Sequence, residues 1–241
     1  MSTRRAKQFI YGAFYLLLWA ACIAIVYYAV RVIAPPAPPA PPCTEATCAP
    51  TSTAPLATST VWTFVTAPQH YTFLAQVADT NPDYAATYLG YAVDLYDASG
   101  TVIRSIPGSS FIYQGQTKYL VVPNVTVSAG FVRAGLSLTR AYWQASSTLG
   151  AVPQFSIENM ATQDTSSTVS VSGQLTNANI ATTRYVFVDA VFLGANGAPL
   201  GASQTEINNV MPGQTVDFSV MYPQTGSIDP AASTVLVYGL K

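Results

Sequence analysis

The second half of the chain repeats the first half at a nearly constant spacing, and this repeat constrains the fold more than any other feature. Three blocks keep the same order at an offset of 98 residues, and one turn glycine repeats at 97. The matching pairs are 73–81 with 171–179, 92–95 with 190–193, Gly100 with Gly197, and 115–117 with 213–215. Such ordered self-similarity predicts an internal duplication.

Both copies have the pattern of β-structure. Short apolar stretches alternate with turn residues about every 8–12 positions, which is typical of a β-sandwich. Residues 97–100 and 195–197 contain Asp, Asn and Gly, which tolerate the positive φ of a tight hairpin. We therefore predict an all-β fold with two tandem Ig-like β-sandwiches. Their predicted bounds are 60–142 and 153–241, with a linker at 143–152.

A long apolar segment precedes the repeat. Phe9–Val30 contains no charged side chain, and as a helix it would extend roughly 33 Å, enough to cross a bilayer. Arg4, Arg5 and Lys7 precede it, and the positive-inside rule places them in the cytoplasm. We predict a cytoplasmic N-terminus at 1–8, a transmembrane signal-anchor helix at 9–33, and extracytoplasmic C-terminal domains.

Three other interpretations of this segment are weaker. A cleavable signal peptide has a shorter apolar stretch and a small-residue cleavage site, but here Arg31 and a proline pair follow. A twin-arginine export signal is disfavoured by Lys7, which occupies a position that should be apolar. A lipoprotein cleavage site at Cys22 is disfavoured by Trp19 and by the apolar residues that follow.

A stalk is predicted at 34–59. Its proline run favours an extended polyproline helix, and a Thr/Ser/Ala/Pro stretch without apolar periodicity follows. Cys43 and Cys48 lie within it with four residues between them, and in an oxidising compartment this spacing favours a small disulfide loop. Two free thiols are a second option, and a metal site would need two more ligands.

The first copy carries the motif Val93-Asp-Leu-Tyr-Asp97, with a Gln-x-x-x-x-Asn strand end before it and Asp-x-Ser-Gly and Gly-Gln-Thr elements after it. These motifs resemble the FxLYD domain, a small extracytoplasmic Ig-like sandwich, over 60–140 and again over 150–240. Val93 replaces the leading Phe, and the second copy has Gly194 in place of Tyr. The whole arrangement also resembles membrane-anchored envelope proteins of candidate-phylum bacteria. The resemblance implies a binding or spacing module at the cell surface.

Charge excludes nucleic acid as a partner. After Pro42 there are six basic residues against 11 acidic ones, a net charge of about −5. Phosphate contacts require basic surfaces, so such a surface binds nucleic acid poorly. The remaining partners that we expect are the membrane and a protein or glycan.

The sequence offers few candidates for chemistry. The single histidine, His70, begins a predicted strand, so no base is evident for a nucleophile. The acidic residues fall mostly at turns and suggest no pair of catalytic carboxylates. We therefore expect that the protein is not an enzyme and binds no cofactor. Asp79, Asn81 and Asp83 copy the opening of a calcium loop, although a structural turn is favoured because the later ligand positions do not match. A possible aromatic binding surface comprises Tyr84, Tyr88, Tyr91 and Tyr113.

Together these features predict a non-enzymatic single-pass membrane protein. It would display two β-sandwich domains outside the cytoplasm for adhesion, scaffolding or envelope assembly. The alternative is a ligand-binding or sensory surface module that captures a glycan or peptide and acts with a membrane partner.

Overall fold

The computed structural model describes residues 53–127, 130–223 and 227–240, together with Trp19, Cys22 and Ile23. Residues 49–241 form one compact unit, separate from residues 1–48. The predicted cytoplasmic terminus and most of the predicted span and stalk lie outside the described residues. Within the described part of the chain, no helix has both the length and the apolarity needed to cross a membrane.

The compact unit is built from antiparallel strands, so the predicted all-β class is confirmed. The first copy contains β1 (Ala57–Thr58), β2 (Trp62–Ala67), β3 (His70–Ala78), β4 (Tyr84–Tyr96), β5 (Val102–Ile112), β6 (Thr117–Thr126) and β7 (Arg133–Ala145). A single-turn helix, α1 (Ser146–Leu149), follows. The second copy contains β8 (Phe155–Asp164), β9 (Thr168–Asn177), β10 (Thr183–Gly194), β11 (Pro199–Val210), β12 (Thr215–Pro223) and β13 (Ile228–Leu240).

The strands form four sheets, and their order repeats between the copies. In sheet I, β3 is central, with β1 and β2 along one edge and β6 along the other. Sheet II has the order β5-β4-β7. In the second copy, sheet III has the order β8-β9-β12 and sheet IV the order β11-β10-β13. The topology therefore shows the duplication that the sequence predicts.

Both predicted hairpin turns are present between the equivalent strand pairs. Between β4 and β5, Asp97 Oδ1 accepts hydrogen bonds from the backbone N–H groups of Ser99 and Thr101, each at 2.9 Å. Gly100 has φ 83°, and Gly197, between β10 and β11, has φ 75°. Such conformations favour glycine because it has no Cβ, which explains why both copies keep a glycine at the end of the turn.

The two sheets of each copy share hydrophobic clusters. In the first copy, Val77 and Leu120 of sheet I belong to the same cluster as Leu89 and Ile112 of sheet II. In the second copy, Val171 and Leu175 of sheet III belong to one cluster with Val186 and Val188 of sheet IV. Each copy therefore buries one face of its sheets within its own core.

The opposite face of sheet I is covered by the second copy. Strand β11 packs across β2, β3 and β6. Leu74, on β3, is fully buried, and it belongs to one cluster with Phe64 and Val121 of sheet I and with Val191 and Ala202 of sheet IV. When a strand is buried on both faces, consecutive residues are buried and no alternation with exposed residues is seen. Thr72 to Ala75 are accordingly all buried.

A second apolar cluster extends the contact between the copies. It joins Phe111 and Tyr113 of the first copy to Tyr238, with Phe187 packed against it. The rings of Phe111 and Phe187 lie 5.9 Å apart between centroids. The two copies are thus joined by apolar packing at two places, and together they form one continuous body.

Candidate functional site

A groove of about 390 Å³ lies where the two copies meet. It is lined by aromatic rings, hydroxyl groups and one carboxylate: Thr87, Tyr88, Ser109, Ser110, Phe111, Tyr185, Phe187, Glu206 and Leu240. The volume lies within the range of small-ligand sites, and mixed aromatic and polar walls are typical of them. We call this feature the inter-copy groove.

Two tyrosines present the accessible rings of the inter-copy groove. Tyr88 is 41% exposed and Tyr185 is 38% exposed, one on β4 and the other on β10. The Tyr88 ring leans on Tyr142, with centroids 5.4 Å apart. Arg140 Nη1 donates to the Tyr142 hydroxyl at 2.7 Å. The contact with Tyr142, which Arg140 in turn orients, restricts the Tyr88 ring on one side.

The four tyrosines named from the sequence have different positions. Tyr88 lines the inter-copy groove, whereas Tyr91 is buried with its ring over Gly108 on the adjacent strand. Tyr113 is buried against Phe111, with ring centroids 6.0 Å apart. Tyr84 is half-buried at the start of β4.

Sequence reasoning missed the groove residues of the second copy, Tyr185 and Glu206. The sequence did contain one indication of this site. Tyr185 and Phe187 are two positions apart in β10, which places both rings on the same face of sheet IV. In the register of β10 with β11, Glu206 lies opposite Phe187. From the sequence, both rings were expected in the core of the second copy, whereas Tyr185 is 38% exposed at the groove.

A buried lysine lies behind the floor of the inter-copy groove. Lys118 is only 2% exposed, and its Nζ lies 3.5 Å from the ring centroid of Phe111 and 5.1 Å from that of Phe187. Nζ has no hydrogen-bond partner among the described residues. Burial lowers the pKa of Lys118 to about 7, partly opposed by the charge of Asp189.

Asp189 is the buried acid that faces this region from sheet IV. Gln204 Nε2 donates to Asp189 Oδ1 at 2.7 Å, and Oδ2 has no hydrogen-bond partner among the described residues. Burial raises the pKa of Asp189 to about 6, against the lowering effects of Gln204 and Lys118. Lys118 and Asp189 come from different copies, so the packing of the two copies removes both groups from water.

The calcium candidate residues form a backbone latch. Asp79 Oδ1 accepts from Asn81 N at 2.8 Å and from Asn81 Nδ2 at 2.7 Å. Asn81 then pairs with the backbone of Ala54, accepting from Ala54 N at 2.7 Å and donating to Ala54 O at 3.1 Å. The backbone carbonyl of Asp83 accepts from Ser146 N at 2.8 Å. This latch ties the end of the predicted stalk to the first copy.

The second copy builds the same latch with a neutral residue. Asn179 donates to and accepts from the backbone of Gln154, each at 2.9 Å, and Asn177 Oδ1 accepts from Asn179 N at 3.0 Å. Asn177 Nδ2 also donates to two carbonyls, those of Ala181 and Val210. Asp79 has no such donor, and its buried Oδ2 has no hydrogen-bond partner among the described residues.

The remaining predicted sites are only partly described. Cys43 and Cys48 lie outside the described residues, and Cys22 is an exposed free cysteine. His70 Nδ1 lies 3.1 Å from Asn124 Oδ1. In the described ranges, no three His, Cys, Asp or Glu side chains group closely enough to hold a metal ion.

The comparisons with protein families and with curated proteins found no match.

The latch predicts that Asp79→Asn stabilises the protein. The new amide could donate hydrogen bonds, as Asn177 does at the equivalent position of the second copy. It would also remove a buried carboxylate oxygen that has no donor among the described residues. We therefore expect the free energy of unfolding to increase by about 1 kcal/mol at pH 7. Burial raises the pKa of Asp79 above 3.8, so wild-type stability should fall as pH rises from 3.8 through the folded pKa. Urea unfolding of the full-length chain measures both effects.

The control for this variant is Asp97→Asn. Asp97 accepts hydrogen bonds in an exposed turn, and those bonds lower its pKa. Neutralising it should therefore decrease stability. A decrease for Asp79→Asn as well would show that the Asp79 carboxylate is satisfied in the fold.

The Lys118 environment predicts a rise in stability at alkaline pH. Lys118 titrates near 7 in the fold and near 10.5 when exposed, so the unfolded chain binds more protons between these values. The free energy of unfolding should therefore increase from pH 7 to about pH 9. Above that range the buried Tyr91 and Tyr238, whose pKa values burial raises, oppose the increase. Lys118→Met should abolish the increase, whereas Arg184→Met, which removes an exposed charge, should retain it. An unchanged pH profile for Lys118→Met contradicts this assignment.

Proposed function

We propose that this chain is a non-enzymatic, single-pass membrane protein that displays a duplicated β module outside the cytoplasm for adhesion, scaffolding or envelope assembly. In this proposal residues 1–8 are cytoplasmic, 9–33 span the membrane, and the stalk runs from 34 to the latch at Ala54, after which β1 already belongs to sheet I. The observation that carries it is the burial of sheet I against sheet IV, which makes one body of the two copies.

The domain architecture within this proposal is two tandem Ig-like β-sandwiches. Its support is that each copy contributes two antiparallel sheets with a shared core and the same strand order. The FxLYD resemblance fits that arrangement, because two of its motifs coincide with structural features of the first copy, a hairpin turn and a latch. The Asp-x-Ser-Gly motif forms the β4–β5 turn, and the Gln-x-x-x-x-Asn motif ends at the latch residue Asn81.

A continuous body suits display. Tandem domains with small polar interfaces move relative to each other, whereas a large apolar interface fixes their orientation. Here Leu74, Phe64 and Val191 share one buried cluster across the interface. A module of this kind keeps the surfaces of its two copies in a fixed arrangement, which favours adhesion and assembly roles over a flexible tether.

A ligand-binding or sensory role is the second candidate, and the inter-copy groove is the observation that favours it. With about eight cytoplasmic residues proposed, the chain would need a membrane partner to pass a signal inward. A binding role in adhesion needs no such partner.

The proposed topology predicts the outcome of protease shaving. In intact cells whose outer surface is accessible, protease should remove a C-terminal epitope tag, and the full-length chain should fractionate with membranes. Replacing Arg4, Arg5 and Lys7 with Glu should reduce cleavage, because these charges set the orientation. The matched control replaces Arg104, Arg133 and Arg140 with Glu and should leave cleavage unchanged.

Two results would refute the topology. One is recovery of the full-length chain in the aqueous lysate. The other is a C-terminal tag that resists protease in intact cells but is cleaved after the cells are opened.

A further inference from the structure

We propose that the inter-copy groove is a binding site for a neutral saccharide. The site is assembled by both copies, with Tyr88, Ser109 and Ser110 from the first and Tyr185 and Glu206 from the second. The inference gives the proposed adhesion role a class of ligand, and in that respect it rests on the proposed function.

The two exposed tyrosines provide the stacking surfaces. One face of a pyranose ring presents C–H groups with partial positive charge, which are attracted to the negative face of an aromatic ring. Tyr88 and Tyr185 are both about two-fifths exposed, so their rings are accessible without any movement of the fold. Because Tyr142 and Arg140 support Tyr88, its ring needs little ordering when a ligand binds.

The polar groups suit hydroxyl ligands. The Ser109 hydroxyl can donate and accept, and the Glu206 carboxylate accepts. The hydroxyls of Thr87 and Ser110 donate to the backbone carbonyls of Tyr142, at 3.3 Å, and Phe111, at 3.5 Å, and so offer a ligand their acceptor lone pairs. A sugar presents many hydroxyl groups, which can pair with acceptors and donors of this kind. An apolar peptide side chain would desolvate the Glu206 carboxylate without giving it a hydrogen bond, which costs binding free energy.

The buried lysine argues against a cationic ligand. Aromatic rings with a nearby carboxylate can bind an organic ammonium group through cation–π attraction. Lys118 Nζ already lies over Phe111 and Phe187, the two rings that form the floor. When Lys118 is protonated, its charge weakens the attraction of these rings for a second cation and opposes the attraction of the Glu206 carboxylate, so the groove favours an uncharged occupant.

The site arises from the packing of the copies. Residues 87 and 111 belong to the first copy and residues 185 and 240 to the second. Neither copy alone contains the whole set of lining residues, so a change that separates the copies should abolish binding even if each remained folded.

Saturation-transfer NMR on the full-length chain, in a detergent without sugar headgroups, tests the proposal. The probes are cellotriose, maltotriose, chitotriose and mannotriose, with tetramethylammonium chloride as the cationic comparison. At least one trisaccharide should receive saturation at its ring C–H protons. Tyr88→Ala and Tyr185→Ala should each weaken that binding about fivefold or more, in line with the worth of one aromatic contact.

The matched control is Met160→Ala, which truncates an exposed side chain on β8, outside the groove. It should leave binding unchanged, and circular dichroism should show the same strand content in all variants. Transfer to none of the trisaccharides, transfer to tetramethylammonium alone, or binding that survives both tyrosine variants would overturn the proposal. None of these results bears on the shaving experiment, so the two proposals can fail separately.

Discussion

The packing of sheet I against sheet IV is the contact on which the rest of the structure depends. It buries the second face of β3, places Leu74 in the core of the other copy, and brings Phe111 against Phe187. The hydrophobic effect drives this contact, since each of these side chains leaves water when the copies meet. Without it, one face of sheet I would present a large apolar surface to solvent.

The same contact removes two ionisable groups from water. Lys118 and Asp189 are both buried, and neither group's desolvation is fully compensated by a hydrogen bond among the described residues. Opposite charges that are both buried seldom add net stability, because their desolvation offsets their attraction. The aromatic rings around Lys118 supply part of the compensation. Desolvation dominates the environment of both groups, and the attraction between their charges opposes it only in part.

Repetition explains which parts of the fold were accessible from sequence. The turns and latches recur because backbone geometry demands particular residues there: Gly100 and Gly197 for positive φ, and Asn81 and Asn179 for two-way pairing with a backbone strand. The latch residues repeat at the offset of 98 and the turn glycines at 97, and this near-constant spacing predicted the duplicated β architecture. For 79–83 the sequence favoured a structural turn over a calcium loop, because the later ligand positions of such a loop do not match.

The groove and the buried pair were beyond sequence reasoning for a physical reason. Both depend on how two folded copies pack, and that packing joins residues more than 70 positions apart that share no local pattern. Lys118 looks like an ordinary surface residue at the start of β6, and Glu206 looks like one on β11. Only the register between β10 and β11 places Glu206 beside Phe187 at the groove.

Calorimetric unfolding of the full-length chain tests most directly whether the copies form one body. If the interface is as continuous as the shared clusters indicate, residues 49–241 should unfold in a single transition whose calorimetric and van't Hoff enthalpies agree. Two resolved transitions, each with about half of the total enthalpy, would contradict the account, because the copies would then be independent domains.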